Sequence, residues 1–331
     1  MSRETEKKVE DIIKDLDQIK EKNGEKYVVD TFKYSVLKAK NPVLALQFIK
    51  NYKVGNSSKY IDIIINSKNN KLMYDAIPYA EDNYKQQITK HIIDSKDANM
   101  CYLIAFNYCK SSWMCFNDEL EQVVINSNNP KLSCKYVENV KVSNIDKHKN
   151  VIIDADDIKY CYLFLKATNT SLEPFMNLIL HSPNLEYVIK CAEYANLRQI
   201  KLFMDKIIIS REPKYIYLFT KKFYYEGIDI KKLGEAVINS MDPEYNYLFA
   251  KDIMGADVLR HGDIVIKSKN VEYNYLFAID VKEANVVKHR NFLLSSKDKL
   301  ERYKYLRDKN LEEKYANSII KNKILSLSKD N

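Results

Sequence analysis

Val237 to Ile253 reads VINSMDPEYNYLFAKDI, and Val265 to Val281 reads VIKSKNVEYNYLFAIDV. Both contain the unbroken run EYNYLFA, offset by 28 residues. With Ser240 and Ser268 as a ruler, the equivalent residue recurs at Ala39, Ser67, Ser95, Ser127, Ala155, Ser182, Ser210, Ser240, Ser268 and Ser296. The spacings are 28, 28, 32, 28, 27, 28, 30, 28 and 28. Self-similarity at a nearly fixed period of this size marks a stack of small structural repeats.

An apolar pair precedes each marker, as in Ile92-Ile93, Val124-Ile125, Ile207-Ile208 and Val265-Ile266, and a turn signal with a second periodic run follows it. One unit therefore reads helix, turn, helix, turn. Asp242 is suited to capping a helix that opens on Pro243, whose missing N–H has no partner to lose in the first turn. Asn41-Pro42, Asn129-Pro130 and Glu212-Pro213 repeat this arrangement, and Ser182-Pro183 shifts it by one. The first helix is expected to end near Gly255-Ala256, with Asp257 capping the second. Helices of about ten residues are marginal alone in water, so stacking must hold them. The fold class that follows is all-α, an α-solenoid of about ten two-helix repeats of about 28 residues with helical caps. Residues 1–35 are assigned to an N-terminal capping region, 36–322 to one repeat array and 323–331 to a polar tail.

On a helical wheel, positions +5, +8, +9 and +12 from the marker form an apolar arc, exemplified by Tyr245, Leu248 and Phe249 and by Tyr273, Leu276 and Phe277. That arc is the expected core. Positions +4 and +11 are largely charged and expected in solvent. Position +7, expected nearly opposite the core centre, is tyrosine in seven units: Tyr74, Tyr102, Tyr162, Tyr217, Tyr247, Tyr275 and Tyr303. A tyrosine offers apolar area with a polar tip, which suits an interface. The same column suits wedging between adjacent repeats better still, and the Lys, Asn, Ile and Tyr bias of an AT-rich genome supplies tyrosine freely. A second recurrence lies about seven residues before the next marker: Lys147-His148-Lys149, Arg260-His261 and Lys288-His289-Arg290. It reads either as a basic ridge for phosphate or acidic side chains or as a solvated helix face.

The excess of 53 basic over 45 acidic residues gives a net charge of +8, mild for a chain of 331 residues and short of a dedicated nucleic-acid domain. The charged N-terminus lacks a secretory apolar stretch, and no segment approaches the length of a membrane span, so a soluble protein of the cytoplasm, or of the host cytoplasm if viral, is expected. The cysteines Cys101, Cys109, Cys115, Cys134, Cys161 and Cys191 show neither CxxC pairs nor zinc-ligand spacing. They read as reduced packing thiols. His91 and His181 have no ligand-spaced partner, and paired acids such as Asp156-Asp157 and Glu312-Glu313 fall where helix capping explains them. No phosphate-cradling glycine loop or catalytic signature is present, so no cofactor, metal or catalytic residue is assigned and the chain is not read as an enzyme.

Written as a consensus from Ser240 to Val258, the repeat resembles tandem repeats of uncharacterised bacterial and bacteriophage proteins. The next unit keeps the start but has Glu283-Ala284-Asn285 where the pattern has Gly-Ala-Asp. In plan the chain is also similar to HEAT-like and other α-solenoids, a resemblance that implies scaffolding or binding of an extended partner and assigns no residue a role. The function expected is therefore a non-enzymatic scaffold binding a protein along its solenoid surface, which fits a phage or viral adaptor or inhibitor of a host protein. The alternative is an RNA- or DNA-binding solenoid that stacks bases on tyrosines and meets phosphates with the basic ridge. The candidate binding residues are Tyr102, Tyr162, Tyr217, Tyr247, Tyr275, Tyr303, Lys147, Lys149, Arg260, Lys288 and Arg290. No membrane partner is expected.

Overall fold

A computed structural model describes residues 3–140, 144–295 and 313–320. Every regular element among these residues is helical. The chain begins with α1 (Arg3–Asn23), α2 (Glu25–Ala39), α3 (Pro42–Asn51), α4 (Ser58–Asn66), α5 (Asn70–Ala76), α6 (Asp82–Asp94) and α7 (Ala98–Tyr108). It continues with α8 (Asn117–Asn126), α9 (Pro130–Asn139), α10 (Ile145–Asp154), α11 (Ile158–Thr168), α12 (Met176–His181), α13 (Leu185–Cys191) and α14 (Leu197–Ser210). The last are α15 (Pro213–Phe223), α16 (Ile230–Ser240), α17 (Pro243–Asp252), α18 (Val258–Lys267), α19 (Val271–Asp280) and α20 (Val286–Ser295), with a further helical stretch over 313–320. The marker Ser296, Tyr303, Glu312 and the tail assigned to 323–331 lie outside the described residues. No helix among those described is long and apolar enough to cross a membrane.

The turns after Ser67, Ser95, Ser127, Ser210, Ser240 and Ser268 share one design, in which the hydroxyl donates to the carbonyl three residues back. The Ser240 hydroxyl donates to the Val237 carbonyl at 2.7 Å and accepts the Asp242 N–H at 3.2 Å; Ser268 does the same with Val265 and Asn270 at the same distances. Asp242 then caps α17 by accepting from the N–H groups of Glu244 and Tyr245 at 2.9 and 3.1 Å. Asn41, Asn129 and Asn270 cap in the same manner, whereas the Glu212 side chain caps nothing. The residue just after the marker takes a left-handed conformation, as at Lys68, Lys96, Asn128, Arg211, Met241 and Lys269. Lys40 and Asp156 do so after the alanine markers as well, so the turn forms with or without the serine hydroxyl and no glycine signals it. At the other end α17 stops at Asp252, a little before Gly255, which takes φ +86° in the connection.

The helices gather into two compact units, Met1–Thr170 and Ser171–Asn331. In the first, α3, α5, α7, α9 and α11 each pack on the next of that row, and α2, α4, α6, α8 and α10 do likewise. In the second, α13, α15, α17 and α19 form one row and α12, α14, α16, α18 and α20 another. Helices consecutive in sequence join the two rows, as α17 joins α18 and α19 joins α20.

The buried arc differs from the expected one. In α17 the buried residues are Asn246, Tyr247, Phe249 and Ala250, with Ile253 beyond them; in α19 they are Asn274, Phe277 and Ala278, with Val281 beyond. The core positions are thus +6, +9, +10 and +13, one residue on from the arc inferred from apolarity. Tyr245, Leu248, Tyr273 and Leu276 are half-buried. First helices are flanked by other first helices, so tyrosine and leucine at +5 and +8 serve the lateral contact. Tyr217 and Tyr245, for example, have ring centroids 6.2 Å apart.

Candidate functional site

The tyrosine column is built into the contact between neighbouring first helices. Tyr217 and Tyr247 are buried, 6% and 5% exposed, and do not lie on the far side of the helix. The Tyr247 hydroxyl donates to Asp280 Oδ2 at 2.5 Å, and Lys251 Nζ donates to the same carboxylate and to the tyrosine oxygen, each at 2.8 Å. One repeat earlier Tyr217 donates to Asp252 Oδ2 while Lys221 Nζ lies 2.9 Å from the phenol and 2.6 Å from the carboxylate. Burial, then the bond to the carboxylate, raises both phenol pKa values. Burial works against ionisation of Asp252 and Asp280, but hydrogen bonds from lysine and tyrosine overcome it and hold both carboxyls below their usual range.

A neutral version recurs in the first unit. Asn107 Nδ2 donates to the Tyr74 oxygen at 2.8 Å, and Asn139 Nδ2 to the Tyr102 oxygen at 3.3 Å. Tyr74, Tyr102, Tyr162 and Tyr275 are half-buried. The partner is the residue at +12 of the following repeat, a position the apolar wheel assigned to the core. The aspartates were in view in both opening stretches, at Asp252 and Asp280, but only the contact between repeats reveals their role.

The basic clusters split apart in the structure. Successive helical residues diverge by about 100°, so the histidine of each cluster faces inward: His148, His261 and His289 are all buried. Three of the five flanking cations reach acceptors on the preceding second helix. Arg260 pairs with Glu235, Lys288 with Asp263 at 3.0 Å, and Lys147 donates to Gln122 at 2.9 Å. Lys149 pairs with Asp146 at 2.5 Å on its own helix, and the Arg290 guanidinium sits over the Tyr315 ring with its Cζ 4.1 Å from the centroid. Tyr74, Tyr102, Tyr217 and Tyr247 therefore bond along the first-helix rows, and Lys147, Arg260 and Lys288 along the second-helix rows.

His261 stacks on Phe249 with centroids 5.0 Å apart, and His289 on Phe277 at 4.7 Å. Glycines on the preceding second helix make room. A Cβ on Gly234 would lie 3.4 Å from Phe249 and 3.5 Å from His261 Nε2, an ordinary contact. On Gly262 it would lie 3.1 Å from both Phe277 and His289 Nε2, too close for either ring to stay in place. The two alanine substitutions are thus expected to differ in sign. Gly234→Ala stabilises by up to about 1 kcal/mol through helix propensity, whereas Gly262→Ala destabilises by about 1–2 kcal/mol through overpacking, as urea unfolding of each variant will show. In the first unit Glu121 holds the glycine's position: its Oε1 lies 3.4 Å from His148 Nε2, both side chains being buried. Burial lowers the His148 pKa while Glu121 opposes it.

Among the grooves of the described surface, one of about 540 Å³ lies in the second unit, between α12 and α14. Leu180, Pro183, Leu185, Leu202 and Ile209 line it, with Ile209 77% exposed. Its polar edge is already engaged: Lys206 donates to the Leu180 carbonyl at 2.7 Å, and Asp205 pairs with Lys232 at 2.7 Å. The marker residues Ser182 and Ser210 lie at its rim, but its exposed apolar residues Leu202 and Ile209 belong to neither the tyrosine column nor the basic clusters. Comparison with family models, with curated proteins and with solved structures finds no match.

Proposed function

We propose that the chain is an α-solenoid of about ten two-helix repeats, without enzymatic activity, that binds a protein segment carrying apolar side chains in the groove between α12 and α14. The groove is the observation that supports this reading most: a large aliphatic side chain such as Ile209, left in water beside four other apolar residues, gains from being covered. The reading departs from the sequence-based one in its surface. Tyrosines that bond to the next repeat are of little use for stacking bases or gripping a ligand, and cations paired with Glu235 and Asp263 release few counterions to a phosphate backbone. The nucleic-acid alternative also needs both groups on one face, and their bonds run along different helix rows. An adaptor or inhibitor acting on another protein is the role such a groove would serve.

The test is capture from a lysate of the source cell on the immobilised full chain, at about 50 and about 200 mM salt, with and without nuclease. The expected result is a stoichiometric protein retained under all four conditions. Loss of the captured material with salt and nuclease would overturn the proposal in favour of nucleic acid.

A further inference from the structure

The asparagine–histidine pairs of the second unit have their proton positions fixed by geometry. Asn246 Nδ2 lies 3.1 Å from the Val237 carbonyl and 2.7 Å from that of Asp242; Asn274 Nδ2 lies 2.8 and 2.7 Å from those of Val265 and Asn270. Carbonyl oxygens only accept, so each amide must turn its NH2 toward them and its oxygen toward the histidine. That oxygen lies 2.7 Å from His261 Nδ1 and 2.9 Å from His289 Nδ1. Nδ1 is therefore the N–H of each ring and Nε2 carries the lone pair. Nε2 of His261 is buried with no hydrogen-bond partner among the described residues, and it faces Gly234; Nε2 of His289 faces Gly262. A proton arriving at Nε2 of His261 brings a charge into an apolar stack that offers it no acceptor, and at His289 it brings a charge against Phe277 and Gly262.

We propose that the α16–α18–α20 row is a proton-sensitive junction, in which proton uptake at Nε2 of His261 and His289 in mildly acidic solution loosens the packing of these helices. The charged groups around each ring leave this intact. Around His261 they are Asp257 and Arg260 on its own helix and Glu235 on α16, with Asn246 and Phe249 from α17. Glu235 is held by Arg260, and Asp257 caps the Arg260 N–H. Around His289 they are Lys288 on its own helix and Asp263 on α18, paired with each other, with Asn274 and Phe277 from α19.

Burial outweighs these charges and holds both pKa values down to about 4. The unfolded chain, with histidine near its ordinary value of about 6.5, therefore binds more protons than the folded one between those limits. Stability is full above about pH 6.5 and falls as the pH drops toward about 4. His148 differs in kind, because Glu121 stands where the glycine would be. The inference is independent of the partner proposed above.

Hydrogen exchange of the full chain, read by mass spectrometry at about pH 7 and pH 5 and corrected for intrinsic rates, tests it. The expected result is at least a tenfold loss of protection in α18 and α20 at pH 5, with α13 and α15 losing less. The variant Asn246→Ile/His261→Leu/Asn274→Ile/His289→Leu installs the residue types found one repeat earlier at Ile216 and Leu233, both buried. It is expected to keep its protection at pH 5. A uniform change across the second unit in the wild type, or the same acid loss in the variant, overturns the proposal. If the variant does not fold at pH 7, an NMR titration of the wild-type histidine Cε1–H signals decides: a midpoint at or above about 6 for the folded rings overturns it, and midpoints well below that support it.

Discussion

Replacing Tyr247 with alanine is expected to destabilise the contact between α17 and α19 by about 3–5 kcal/mol, the usual range for emptying a buried aromatic site. The ring is 5% exposed, packs 6.0 Å from Tyr273 and 6.5 Å from Phe277 by centroid, and its hydroxyl bridges to Asp280. Tyr247→Phe keeps the ring and leaves Lys251 and Asp280 paired at 2.8 Å, so its loss should be about 1 kcal/mol. Tyr217→Ala and Tyr217→Phe should follow the same order. Hydrogen exchange of α15, α17 and α19 measures these differences directly. If Tyr247→Ala left protection in these helices unchanged, the tyrosine column would be free to act as a binding surface.

The second large effect concerns the buried pair of the first unit. His148→Leu leaves the Glu121 carboxylate in the core without the ring nitrogen 3.4 Å away, and a stability loss of about 3 kcal/mol is expected. Glu121→Ala is expected to cost only about 1 kcal/mol, because it removes the carboxylate from the core together with the contact and leaves a histidine beside a small residue, as Gly234 lies beside His261. The order of the two variants is the check. Trp113 is the only tryptophan in the chain and is buried in the same unit, so its fluorescence in a denaturant titration reports on this unit. Equal losses, or a larger loss for Glu121→Ala, would show that the pair is not held as described.

The period, the serine marker and the Asx caps were legible because they are local: a cap residue acts on N–H groups two and three positions ahead, and so leaves its mark in a short window. The all-helical class followed from them. The rotation of the core did not, for two physical reasons. A buried Asn246 that donates to two backbone carbonyls is as much a core residue as a leucine, yet polarity sends it to the surface on a wheel. A tyrosine whose hydroxyl meets a carboxylate 33 residues away is likewise indistinguishable from one that meets water. The KHK and KHR triplets looked basic throughout because sequence adjacency was read as shared direction, although the helix turns the histidine inward.

One covariation within the sequence did carry the missing information. Asn246 and His261, and Asn274 and His289, stand the same 15 residues apart, while the repeat before them has Ile216 and Leu233 at those two positions. Polar with polar and apolar with apolar is what a contacting core pair requires. The groove between α12 and α14 had no such signal. Leu202 and Ile209 match no recurrence, and their exposure depends on how the neighbouring helix is placed.

The measurement that bears most directly on the proposed binding surface is the affinity of the captured partner for three proteins: the wild type, Leu202→Asp/Ile209→Asp and Tyr217→Phe/Tyr247→Phe. Carboxylates in the apolar groove should weaken binding at least a hundredfold, about 2.7 kcal/mol, while the phenylalanine variant, whose changes lie inside the repeat contacts, should bind as the wild type does. Unchanged binding by the aspartate variant, with loss in the phenylalanine variant, would contradict the groove and return the function to the tyrosines.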